Sequence, residues 1–157
     1  MINEIRQHWD SEAEASILGG IMLRNDVMRR LADLEVEDFR HPKHQSVFAA
    51  MRNLESSQTP IDQTTLRSEL TRLGKWESLG QGEAGPLAFL LKLSLQCPSP
   101  DNVVHYADTI VTHRVTRLLV ESLSNALGII NDSGNVDCEG EDAVQWVASE
   151  VSKIRTR

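Results

Sequence analysis

The chain has 157 residues, 40% of them hydrophobic but only 4% aromatic, and a formal net charge of −7. That is enough apolar material for one compact core with an appendage, filled by Leu, Val, Ile and Ala. The acidic balance, with no basic run, disfavours strong direct nucleic-acid binding.

No apolar run approaches the roughly 20 residues that cross a bilayer. The start, MINEIRQHWD, is too polar for a signal peptide. Cys97 and Cys138 are spaced neither as metal ligands nor as a redox pair, so they read as inert thiols of a reducing compartment. The expectation is a soluble, cytoplasmic protein with no membrane contact.

Residues 1–10 read as a polar arm. Ser11-Glu12-Ala13-Glu14 has the spacing of a capping box, Ser11 as N-cap and Glu14 reaching back to its amide. The helix that follows buries Ile17, Leu18, Ile21 and Met22. Gly19-Gly20 lies inside it, at about 1 kcal/mol each relative to alanine, a cost explained by a second helix crossing closely or by a local kink. Asn25-Asp26 restarts a short helix with Val27, Met28, Leu31 and Leu34. After Phe39, Pro42 opens a helix carrying His44, Val47, Phe48, Met51 and Leu54. Asp62 caps the next, with Leu66, Leu70 and Leu73 inward and Gly74 as its C′ residue. Lys75 to Gly85 is irregular, anchored by Trp76 and Leu79. Pro86 opens a short apolar helix to Leu95, and Cys97-Pro98-Ser99-Pro100 breaks the chain. No alternation of period two lasts long enough for a sheet. The fold class expected is all-α: a helical globular subdomain over 11–97, then a long antiparallel helical hairpin over 98–157.

Asp101 is expected to cap the hairpin's first helix, in which Val104, Ala107, Val111, Val115, Leu118 and Leu119 form one stripe. Leu123, Ala126, Leu127 and Ile130 continue it. Asn131 to Asn135 favour a turn. In the returning helix Val144, Val147, Val151 and Ile154 recur at steps of three and four, a narrow coiled-coil-like seam. A hairpin alone buries little, so its stripes need the preceding subdomain or another hairpin to cover them. Trp146 sits off the seam and either packs on the first hairpin helix or anchors a protein interface, where Trp is enriched. The candidate partner-facing set is Val115, Leu119, Val120, Leu123, Ala126, Leu127, Ile130, Val144, Trp146, Val147 and Val151. Their pattern leaves open which of them are intrachain core.

Chemistry is expected to be absent. His41 and His44 lie three apart but have Pro42 between them and no third ligand at a matching spacing, so His44 reads as helix packing and His41 as exposed. Glu12/Glu14 and Glu139/Glu141/Asp142 suit helix starts through the macrodipole. No nucleophile, metal set or cofactor motif is marked; GxxxxGK[ST] does not occur.

The order of segments carries a resemblance. SEAEASILGGIML, EDFRHPKHQSVFAAMRNL, TPIDQTTLRSELTRLG, GPLAFLLKL and NVVHYADTIV resemble, in sequence and spacing, successive signature stretches of the N-terminal domain of DnaB-type bacterial replicative helicases. The resemblance runs from about Ser11 to Ile154. It implies a helical subdomain and a hairpin that pairs head to head, three such dimers building a collar above motor domains and receiving the C-terminal domain of primase. The family usually has two adjacent glycines and a tyrosine where this chain has Gly80 to Pro86 and then Phe89. The phosphate-binding loop of the family's motor is missing from this sequence. The implied role is an oligomerising, primase-binding scaffold; the other reading is a free-standing regulator that joins or inhibits a helicase ring.

Overall fold

A computed structural model describes residues 9–132, 145, 147–149 and 152, and among these residues every regular element is helical. The helices described from end to end are α1 (Ser11–Leu23), α2 (Pro42–Ser56), α3 (Gln63–Arg72), α4 (Trp76–Leu79), α5 (Pro86–Gln96) and α6 (Val103–Asp132). Short 3-10 turns at Asn25–Leu31, Val36–Asp38 and Pro100–Asn102 join them. By compactness the chain divides into one unit over Trp9–Val111 and a second that contains the chain from Thr112.

The first unit is built on α1, in which every residue from Ala13 to Ile21 is buried. Its N-cap is Asp10 rather than Ser11: the Asp10 carboxylate accepts the Ala13 amide at 2.8 Å. Glu14, expected to complete a capping box, instead turns inward and is 1% exposed. The glycine pair marks a close crossing. A Cβ on Gly19 would stand 2.1 Å from the Leu93 carbonyl oxygen on α5, and one on Gly20 would stand 2.5 Å from Val103 Cγ1 at the start of α6. The glycines therefore let two neighbours approach the backbone of α1, which offsets their helix-propensity cost.

Phe39 and Phe48 meet with ring centroids 4.8 Å apart and join Met51, Leu66, Leu70, Leu79, Leu90 and Leu93 in one core. Each such side chain contributes about 1.5–3 kcal/mol when fully buried. Asn25 ties the end of α1 to the segment before α3, donating to Ile21 and Ile61 carbonyls and accepting the Ile61 amide at 2.7 Å. Asp62 caps α3 through the Thr64 and Thr65 amides. Gly74, at φ 66°, ends it with Lys75 N–H on Leu70 O and Gly74 N–H on Thr71 O, the paired bonds of a Schellman ending. The irregular stretch after it contains α4, with Leu79 fully buried and Trp76 packed on the core.

Ser99 caps the 3-10 turn Pro100–Asn102 before α6, its hydroxyl accepting the Asp101 amide at 3.3 Å. The Asp101 carboxylate pairs with Arg24 at 2.8 Å. The core reaches into the long helix itself, where Val103, Ala107 and Ile110 are buried at steps of four and three. At 30 residues α6 is the longest element and spans about 45 Å.

Candidate interaction surfaces

Three groupings of side chains are candidates for function. The first lies along α6 after Val111. Val115, Leu118, Leu119 and Val120 are half-buried and Leu123 is 50% exposed. Val111, Val115, Leu119 and Leu123 recur at steps of four, so they share a slowly winding stripe. Five sizeable apolar side chains on consecutive turns, none of them fully covered, make a surface with unspent hydrophobic energy. Ala126, Leu127 and Ile130 lie in the same helix, but their side chains fall outside what the structure describes. Val144, Trp146 and Val151 lie outside the described residues. Val147 is helical and half-buried, with Gln145, Ala148, Ser149 and Ser152 helical and exposed around it.

Sequence patterning missed the second. On α5, Phe89, Leu90 and Leu93 turn inward, while Leu87, Leu91 and Leu95 are 46%, 42% and 85% exposed. These three sit at i, i+4 and i+8 on the opposite side of the helix. Leu23, 55% exposed, ends α1, which crosses α5. The available signal was composition: six large apolar residues in eleven exceed what one buried face requires.

The third grouping is polar. The Glu14 carboxylate accepts from the Arg40 amide at 2.5 Å, from the His41 amide at 3.2 Å and lies 2.7 Å from His44 Nδ1. Glu14 and His44 are 1% and 4% exposed. His44 is thus a buried core residue, paired with Glu14 through Nδ1 and stacked on Phe89 at 5.9 Å, and the carboxylate also accepts the two amides just before α2. His41 is half-buried and is the N-cap of α2: its Nδ1 accepts the Lys43 amide at 3.1 Å. Lys43 reaches the Gln81 carbonyl and lies over the Phe89 ring. The Glu14 carboxylate, His41 Nδ1, His44 Nδ1 and the Lys43 ammonium are engaged in holding α1, α2 and the loop before α5 together. Among the described residues no three His, Cys, Asp or Glu side chains gather as a metal set. No helix among them is long and apolar enough to cross a membrane. Burial pushes the Cys97 thiol up, against reactivity. Among the described residues, what the geometry offers is surfaces and packing.

The comparisons with known proteins agree with one another. A family model described as the DnaB-like helicase N terminal domain matches residues 6–112, nearly the same stretch as the compact first unit. The replicative DNA helicase DnaB of Buchnera aphidicola subsp. Baizongia pistaciae is 35% identical over 111 residues, which is 70% of this chain and 23% of that one. That of Haemophilus influenzae is 34% identical over the same length and shares. The chain therefore spans about a quarter of the length of the curated relatives it matches. Among solved structures, the N-terminal domain of DnaB helicase from Mycobacterium tuberculosis is similar with a TM-score of 0.81 and 26% identity, over 94% of this chain and 99% of that one. A DnaB-like replicative helicase, described with its interactions with primase, is similar in fold with a TM-score of 0.63 and 23% identity, over 92% of this chain and 31% of that one.

Proposed function

The chain belongs to the DnaB-like helicase N-terminal domain family, and from that premise we propose that it is the oligomerising and primase-binding collar domain of a replicative DNA helicase. It acts as a scaffold in the cytoplasm and makes or breaks no bonds itself. The observation that carries the reading is the partly exposed apolar stripe Val115, Leu119 and Leu123 on α6. A row of this kind is the part of a helix that a second copy covers, and the shape of the row selects the partner while rim charges tune the on-rate.

The candidate partner-facing residues that extend it, Val120, Ala126, Leu127 and Ile130 on α6 and Val144, Trp146, Val147 and Val151 beyond it, belong to the same proposal. In this reading α6 and the returning segment pair with those of a second chain, and three such pairs close a ring. The ring holds the C-terminal domain of primase at the fork and constrains the motors joined to it. The sequence contains no GxxxxGK[ST], so nucleotide hydrolysis is not a role for these residues.

The test is mass in solution at micromolar concentration, by sedimentation, with a titration of the cognate primase C-terminal domain. Dimers or higher species that bind primase are expected. A monomer at every concentration, with no primase binding, overturns the proposal.

A further inference from the structure

Helix N-caps are usually Ser, Thr, Asp or Asn, whose oxygens accept a hydrogen bond throughout the neutral range. The cap of α2 is an imidazole. Since His41 Nδ1 accepts the Lys43 amide at 3.1 Å, the ring must be neutral with its proton on Nε2. Adding a proton at Nδ1 turns the acceptor into a donor aimed at another donor.

The surroundings oppose that proton from several sides. On its own helix, the ring of His44 is 4.8 Å away, centroid to centroid, and Lys43 is two residues on. The N-terminus of α2 itself carries positive partial charge. Facing it from α1 is Glu14, already accepting the His41 amide, and from the loop before α5 comes Glu83. The Trp9 ring, just before α1, lies 6.2 Å from the imidazole. Burial, then His44, hold the His41 pKa below its ordinary 6.5, with Lys43 adding to them; Glu14 and Glu83 pull the other way without reversing the direction.

We propose that His41 is a pH-sensitive cap, whose protonation releases the first turn of α2 and its contact with Trp9. Because the folded state prefers the neutral ring, the cap's contribution is complete above the ordinary imidazole value. It is lost as pH falls from there through the depressed folded value. The structural consequence is local: the start of α2 loosens against α1 and the loop before α5, while the hydrophobic core beneath is untouched.

The experiment follows the imidazole shifts of the whole chain by NMR from pH 8 to 5, together with exchange protection of the Lys43 amide. His41 is expected to titrate below 6.5 from the Nε2–H tautomer, and Lys43 protection is expected to fall severalfold along the same curve. His41→Asn and His41→Ser replace the cap with groups that do not titrate there, and should keep Lys43 protection flat to pH 5. A wild-type Lys43 protection that stays level while His41 titrates overturns the proposal. So does an acid loss that persists in both variants, or a His41 that titrates at or above the ordinary value.

Discussion

The unit over Trp9–Val111 and the helix that continues from Thr112 are built from the same Leu, Val and Ile, yet they solve opposite problems. In the first, 25 hydrophobic residues are buried, and helices approach until only glycine fits between them. In the second, the side chains from Val115 to Val120 that are apolar are only partly covered, and among the described residues Gly128 has no neighbour within 4 Å of where a Cβ would stand. Under the proposed function, the apolar surface is divided between a buried core that serves folding and a half-open stripe that would serve association. The difference teaches that the first region builds a core from its own side chains, whereas the apolar side chains after Thr112 are only partly covered and, in the proposed reading, a second copy completes their burial.

The largest blow to the first region is Gly19→Val. Its Cβ would meet backbone atoms of Leu93 at 2.1 and 2.9 Å, which cannot rotate away as a side chain would. We expect a loss of about 4 kcal/mol or failure to fold, read by urea denaturation. A Gly19→Val protein with the wild-type midpoint would mean α1 and α5 can separate freely, and the contrast between sealed and open regions would collapse.

Next in size is Glu14→Ala. Removing a carboxylate that is 1% exposed leaves His44 Nδ1 and the Arg40 and His41 amides without their acceptor. The cost is about 3 kcal/mol, with the denaturant slope unchanged. Glu14→Gln retains one accepting oxygen and is expected to lose roughly half as much. A Glu14→Gln protein as stable as wild type, beside a destabilised Glu14→Ala, would assign the effect to packing volume rather than to the carboxylate's hydrogen bonds.

Glu14 also shows where sequence reading ends. Ser11 to Glu14 matches a capping box by spacing, but the motif is local and the partners that claim Glu14 lie 26 to 30 residues away, just before and on α2. The same spacing serves either geometry, and only tertiary context decides. The Gly19-Gly20 pair was legible for the converse reason: its local cost in a helix demanded a neighbour, and Leu93, Cys97 and Val103 are that neighbour. Capping by Asp62 and termination at Gly74 were legible because both are set by residues within one turn. The outward row Leu87, Leu91 and Leu95 was not, since an apolar run on a short helix does not say which of its sides is covered. Along α6 the stripe was visible in the sequence, whereas its partial exposure is a property of everything packed around it.

A smaller effect on stability, though a large one on assembly, is expected for Leu123→Asp. The side chain is 50% exposed, so melting of the first unit should stay within about 0.5 kcal/mol of wild type. If a second chain covers the stripe, self-association weakens by about tenfold or more, measured by sedimentation across a concentration series. Unchanged association would remove Leu123 from the interface.

The smallest change tests the contrast with one substitution made in both regions. Gly19→Ala and Gly128→Ala each add a methyl group inside a helix, and alanine gains up to about 1 kcal/mol of helix propensity over glycine. At Gly19 the methyl carbon strikes the Leu93 carbonyl and the net effect is destabilising; at Gly128 it meets open space, so the propensity gain should appear in full. Gly128→Ala is therefore expected to raise the stability of α6 by about 0.5–1 kcal/mol, seen as slower amide exchange along the helix. Association provides the sharper reading. If a partner helix closes on Gly128, the added methyl disturbs that contact, and helix stability and dimer affinity move in opposite directions. If both rise together, the interface lies on the Val115–Leu119–Leu123 side and Gly128 stays outside it.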